Sequence, residues 1–134
     1  MQKPQCCNDH CYYCERKYGT PYKELIKPLI RTKDHMHPKS KDGLRSTQNI
    51  LGSCCDICNR TKDDRTPVQF LVWLQTQLRR KNGIKNYPAS ILQVMIENVK
   101  KVIQYSIKVP LTNKEFEKQH YITGYKKIKI ASQR

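Results

Sequence analysis

Residues 32–62 read TKDHMHPKSKDGLRSTQNILGSCCDICNRTK, and the division of this stretch decides the fold. Thr32 to Pro38 is short and rich in histidine, KSKDG is a polar loop carrying a glycine, and TQNILGS brings an apolar pair ahead of Gly52 and a run of cysteines. The pattern predicts strand, loop, strand. Potential metal ligands and proton carriers crowd into it: Asp34, His35, His37, Asn49, Asn59 and three cysteines.

Outward from this stretch, the cysteines pair by spacing. Cys11 and Cys14 form one C-x-x-C, Cys55 and Cys58 another, and a two-residue spacing lets a tight turn aim both sulfurs at one ion. Two such knuckles supply the four thiolates of a tetrahedral zinc site. Forty residues lie between Cys14 and Cys55. An ordinary zinc ribbon has roughly 15 to 20 there, so a sizeable element is inserted between the knuckles. Cys6, Cys7 and Cys54 are surplus, with His10, Cys7 and Cys54 as substitute ligands beside the preferred set. An odd count of seven cysteines, two C-x-x-C groupings and an N-terminus, MQKPQCCNDH, with no apolar signal region favour a reducing, intracellular setting and metal over disulfides. A chain this short gains folding free energy from the ion, which predicts a poorly folded apo protein.

The order of these residues resembles the HNH endonuclease family in its zinc-bearing form: a Cys pair, then DHMHP, a polar loop with Gly, QNIL, and CDICNRTK, running from about Cys11 to Lys62. That resemblance implies a ββα-metal (His-Me finger) core of α+β class, stapled by the four-cysteine zinc site, with Asp-His ending one strand, Asn49 on the second and the last ligand on the following helix. It implies Asp34 as metal ligand, His35 as general base and Asn49 as the residue that holds the His-bearing loop. The third named position, His in many members, is Asn59 here, which favours a Mg²⁺-type site. Small standalone members of that family are frequent in phage and other mobile elements.

The chemistry accounts for these residue types. Hydrolysis of a phosphodiester needs a base for water and a divalent cation at the phosphate. An imidazole with an ordinary pKa of about 6.5 is largely neutral at physiological pH, which suits His35 as the base. Asp34 and Asn59 offer hard oxygens suited to Mg²⁺ or Mn²⁺. His37, two residues from His35, shares its face if the stretch is extended, and is read either as a phosphate contact or as a hydrogen-bonded surface residue. Lys39, Lys41, Arg45, Arg60 and Lys62 flank the site in sequence and are candidates for holding the nucleic-acid backbone. Tyr12, Tyr13 and Tyr18 read as packing residues rather than stacking platforms.

The rest of the chain reads as a helical companion. Residues 1–66 form the expected zinc-stabilised core and residues 67–134 a basic helical extension packed on it. Pro67 opens a helix with Phe70, Leu71, Leu74 and Leu78 on one stripe, and KNGIKNYP ends it. Ile91, Leu92, Met95, Val99, Val102 and Ile103 mark a longer helix that Pro110 stops, and Phe70, Leu74, Ile91, Met95, Val99 and Ile103 are the expected interhelical core. Thr112 and Glu115 have the spacing of a capping box, and the tail YKKIKIASQR reads as a basic arm. The formal charge is +15, with 13 basic against 8 acidic side chains over residues 1–78 and 13 against 3 over residues 79–134. Such a balance points to a polyanion, with DNA as the expected partner and a protein partner for targeting as a further expectation. Neither a membrane nor a small-molecule substrate is expected. The alternative from another class is a non-catalytic, zinc-stabilised nucleic-acid-binding protein or nucleoprotein component. Composition and the cysteine spacing serve both; the Asp34, His35, Asn59 trio is what a pure binder has no need to assemble.

Overall fold

A computed structural model of the chain describes residues 3–5 and 8–119. The expected C-terminal arm, YKKIKIASQR, and Cys6 and Cys7 lie outside the described residues. The fold is α+β, with two small antiparallel sheets and four helices among the described residues. Strand β1 (Arg31–His35) pairs antiparallel with β2 (Ile50–Cys55), and α1 (Asp56–Lys62) leaves the end of β2 directly.

The β1–β2 register is irregular in its middle. Arg31 pairs with Cys55 and Thr32 with Cys54, but Asp34 pairs with Leu51 and His35 with Ile50, so Gly52 and Ser53 together face Lys33. Such a bulge bends the strand and re-aims its residues. It also frees Ser53 to hold the N-terminal segment: its carbonyl accepts from the Tyr12 N–H at 2.9 Å and its hydroxyl donates to the His10 carbonyl at 2.6 Å. The first cysteine knuckle is thereby hung on β2.

The loop between the strands is tight. Lys39–Lys41 and Thr47–Asn49 are single 3-10 turns, so Asn49 stands just before β2 and not on it as expected. A side chain at Gly43 would collide with the His37 carbonyl, so the close approach of the two backbones requires glycine there. The Gly43 N–H donates to the Pro38 carbonyl at 2.8 Å, and Leu44 N–H to the Leu111 carbonyl at 2.8 Å.

Helix α2 (Pro67–Lys81) starts as expected with Pro67 in its first turn, and its cap is a full capping box: Thr66 Oγ1 accepts from the Gln69 N–H and the Gln69 side chain accepts from the Thr66 N–H. It ends at Asn82 in the left-handed conformation, whose N–H satisfies the Leu78 carbonyl. KNGIKNYP then does more than end a helix. Gly83–Ile84 (β3) and Tyr87–Pro88 (β4) form a two-stranded hairpin that delivers the chain into α3 (Ala89–Lys108). Thr112 caps the helical residues 113–119, its hydroxyl accepting from the Glu115 N–H at 3.0 Å.

The core joins both parts of the chain. Phe70, Leu74, Met95 and Val99 are buried as expected, whereas Ile91 and Ile103 are only partly buried, and Leu92, Ile96 and Val102 take the inward positions of α3. The 3.6-residue stripe on α3 is thus wider than the surface it packs against, and the outer isoleucines fall on its margin. No helix among the described residues is long and apolar enough to cross a membrane.

One buried amide locks the helices to the cysteines. Asn98 on α3 donates through Nδ2 to the Tyr12 and Tyr13 carbonyls, each at 2.9 Å, inside the C-x-x-C of the first knuckle. Asn98→Ala leaves both carbonyls without this donor, at a cost of about 1–3 kcal/mol. The urea midpoint of the zinc-loaded variant should fall accordingly with the slope unchanged; an unchanged midpoint would show the lock to be dispensable.

Candidate metal centre and adjoining depression

The two knuckles converge. Cys11, Cys14, Cys55 and Cys58 are all buried, their sulfurs lie within 4.8 Å of one another, and Cys14 and Cys55 sulfurs are 3.9 Å apart. Tetrahedral bonds of about 2.3 Å to zinc put sulfurs about 3.8 Å apart, so the donor set and its spacing fit such an ion. The five cysteines among the described residues are free thiols. Cys55 also begins α1: its sulfur accepts the Cys58 N–H at 3.2 Å, which aims both sulfurs of this knuckle inward. Across it, Cys11 N–H donates to the Arg16 carbonyl and Glu15 N–H to the Cys11 carbonyl, with Glu15 in the left-handed conformation.

The surplus ligands stay out. Cys54 is buried against Cys11 at the edge of the cluster, but its sulfur is not among the four that close together, and its thiol donates to the Cys55 carbonyl at 3.5 Å. His10 Nδ1 lies 2.9 Å from an Asp9 carboxylate oxygen and is not in the cluster.

One buried cation stands beside the thiols. The Arg16 side chain is 2% exposed; its Nη1 donates to the Asn86 carbonyl at 2.7 Å and to Glu24 at 3.1 Å, while Nε and Nη2 have no protein oxygen or nitrogen partner among the described residues. Burial works against its charge, and Cys14 and Cys58 more than offset that, so the guanidinium is held protonated beside the sulfurs. A buried donor without a partner is costly, and thiolate sulfur is the acceptor at hand. Tyr87 stacks under Arg16 at 5.3 Å and turns its hydroxyl to Cys58 Sγ at 3.5 Å.

On the other face of α1 lies an open depression of about 250 Å³ lined by Lys33, Asp34, His35, Pro38, Lys39, Ser40, Asn59, Asp63 and Asp64. Asp34, His35 and Asn59 are therefore brought together. Asp63 and Asp64, absent from the expected site, join them because the chain turns sharply after α1, with Asp63 at positive φ and its N–H donating to the Asn59 carbonyl at 3.0 Å. An acidic pair following a helix looks like any solvated surface, and nothing in its spacing marks it out.

His35 makes no side-chain hydrogen bond among the described residues. Burial pushes its imidazole below the ordinary histidine value, and Lys39 adds to this, outweighing the opposing pull of Asp34. Asn59 donates through Nδ2 to the Lys33 carbonyl at 2.9 Å and to Thr32 Oγ1 at 3.1 Å, which stitches α1 to β1 and leaves Oδ1 as the amide's acceptor. Asn49 is fully buried: Oδ1 accepts the His37 N–H and Nδ2 donates to the His37 and Leu44 carbonyls, all at 2.8 Å. Its amide pairs with His37 as a strand backbone would, two residues beyond His35.

Asp34 is the most constrained member. It is 3% exposed; Tyr13 donates its hydroxyl to Oδ2 at 2.7 Å and Lys62 Nζ lies 3.3 Å from Oδ1. Burial pushes this carboxyl above the usual carboxylate range, with Lys62 and the Tyr13 bond pulling the other way.

Two expectations are corrected. Lys62 is 1% exposed, its ammonium bound to Asp34 and at 2.9 Å to the His35 carbonyl, so it cannot track a phosphate backbone from the surface. His37 does not share a face with His35: β1 ends at His35, Met36 turns into the core, and the His37 ring meets the Lys41 carbonyl at 2.9 Å, outside the depression. Of the other cations, Lys39 lines the depression and Arg45 is exposed within electrostatic range of His35. Lys41 Nζ is 2.9 Å from the Gln69 side chain, and Arg60 pairs loosely with Asp56 at 3.5 Å beside a neighbouring depression that shares Asn59 and Asp63.

Compared with protein-family models, curated proteins and solved structures, the chain gives no match in any of the three.

The thiol cluster can bind a metal ion such as zinc. Cys58→Ser should abolish stoichiometric zinc retention and, because such ions supply folding free energy, remove the cooperative thermal transition. Metal content after gel filtration and a melting curve check this; a variant that melts like the parent would rule out a structural role for the ion.

Proposed function

We propose that the protein is a metal-dependent DNA endonuclease that hydrolyses phosphodiester bonds, on a ββα-metal core of the zinc-bearing HNH type. The observation that carries this reading is the convergence of Asp34, His35 and Asn59 on one open depression, at the junction of β1 and α1. The β1, β2, α1 order and the cysteine cluster behind it support the same core.

The Asp34 carboxylate and the Asn59 amide oxygen would hold a Mg²⁺ or Mn²⁺ ion, which would supply charge neutralisation at the phosphate and leaving oxygen. His35 takes a proton from the attacking water. Its depressed pKa keeps it neutral at physiological pH, and its ring has no competing bond among the described residues. Asn49 anchors the segment after His35 through His37, fixing where the imidazole stands. Lys39 and Arg45 place positive charge around it for the DNA backbone.

A second reading, a zinc-stabilised nucleic-acid-binding protein without hydrolysis, draws on the Asp34–Lys62 pair. A carboxylate 3% exposed and already neutralised by an ammonium needs no divalent ion to be satisfied.

His35→Ala separates the two. It should keep zinc and DNA affinity and lose about 10²–10⁴-fold in cleavage of supercoiled plasmid with Mg²⁺ or Mn²⁺, the scale of a lost general base. Parent protein that binds plasmid in a salt-sensitive way but cuts it with neither ion would leave the binding reading standing and remove the nuclease one.

A further inference from the structure

We propose that Tyr13 is a positioning residue that couples the zinc knuckle to the ion-binding carboxylate of Asp34. This inference rests on the endonuclease reading above.

Tyr13 lies between Cys11 and Cys14, so its backbone is part of the first knuckle. Its ring is 1% exposed and packs edge-on against Phe70, with centroids 5.5 Å apart at 89°. Its main-chain carbonyl is held by Asn98. With backbone and ring both fixed, the hydroxyl has little freedom, and it donates to Asp34 Oδ2 at 2.7 Å.

A buried tyrosine in a core needs some partner for its hydroxyl, and any carbonyl would do. Here the partner is the carboxylate of the candidate ion site, and both groups are buried. Lys62 holds the other oxygen from α1, the helix whose start carries Cys55 and Cys58. The carboxylate is thus gripped from both halves of the cysteine cluster: by Tyr13 from the first knuckle and by Lys62 from the helix that continues the second. Closure of the two knuckles on one ion brings these two grips together, and the Asp34 plane follows from it. Carboxylates that ligate metals are commonly held this way, and loss of such a partner typically lowers metal affinity about 10–100-fold. With the Tyr13 hydroxyl absent, Lys62 is left as the one side chain bonded to the Asp34 carboxylate, which turns toward it and away from the depression.

The test uses full-length, zinc-loaded protein with Mn²⁺ as the probe. Binding is read from the loss of the free Mn²⁺ paramagnetic resonance signal, alongside the Mn²⁺ dependence of plasmid cleavage, for the parent, Tyr13→Phe and His35→Ala. Tyr13→Phe should retain its zinc, bind Mn²⁺ about 10–100-fold more weakly and shift the Mn²⁺ midpoint of cleavage by a similar factor, more than it alters the rate at saturating Mn²⁺. His35→Ala should do the reverse, binding Mn²⁺ as the parent does with the rate lost. A Tyr13→Phe protein with the parent's Mn²⁺ affinity overturns the coupling while leaving the nuclease intact. One that loses its zinc, or loses rate at all Mn²⁺ concentrations with no shift in midpoint, shows that Tyr13 serves only the knuckle. A parent protein that neither binds Mn²⁺ nor cleaves contradicts the endonuclease reading itself.

Discussion

Two pairs of cysteines, separated by forty residues of chain, meet with their sulfurs within 4.8 Å. The rest of the molecule is arranged around that closure. Without an ion, four buried thiols and an arginine with two unpartnered nitrogens would be a liability at the centre of a small protein. With one, the same groups become a bound cluster whose negative charge Arg16 partly offsets, and to which the β1–β2 hairpin, α1 and the β3–β4 turn are all tied. Arg16 reaches Asn86 in that turn, Tyr87 reaches Cys58, and Asn98 reaches the first knuckle. The helical half of the chain is therefore docked through polar atoms as well as through Leu74, Met95 and Val99.

The closure also dictates the geometry of the depression. The bulge opposite Lys33 lets β2 serve the knuckle through Ser53 while β1 presents Asp34 and His35 at its end. Asn59, the residue after Cys58, is carried to β1 by the same helix turn that places the sulfur. One set of backbone positions holds the cluster on one face and the trio on the other, which is why so many ligands and proton carriers are packed into residues 32–62.

Local patterns are legible in the sequence where they define their own geometry. The C-x-x-C spacing is short enough to set its own turn, and the stripes of α2 and α3 follow from their 3.6-residue period, so both survive any tertiary arrangement. The β1–β2 pairing is legible from the loop between the strands and the apolar pair Ile50–Leu51. What escapes depends on distant partners. The hairpin in KNGIKNYP has two residues per strand, too few for alternation to register. Lys62 sits in a run of charges that reads as solvent-facing, and only the arrival of Asp34 beside it makes burial tolerable. Tyr13 is a packing residue, as its surroundings suggest, but its hydroxyl finds Asp34 across a distance in sequence that no local pattern encodes. His37 loses its place beside His35 because the strand ends too soon to carry both.

Two ions in two separate places, one scaffolding the fold and one in the depression, are what the nuclease reading requires. Anomalous scattering from crystals grown with zinc and soaked in Mn²⁺ tests this directly, with data collected on either side of the zinc edge and near the manganese edge. The predicted result is a zinc peak enclosed by Cys11, Cys14, Cys55 and Cys58 and a distinct manganese peak at Asp34 and Asn59. Zinc in the cluster with no manganese at Asp34, or with Lys62 still occupying the carboxylate at saturating Mn²⁺, would contradict it.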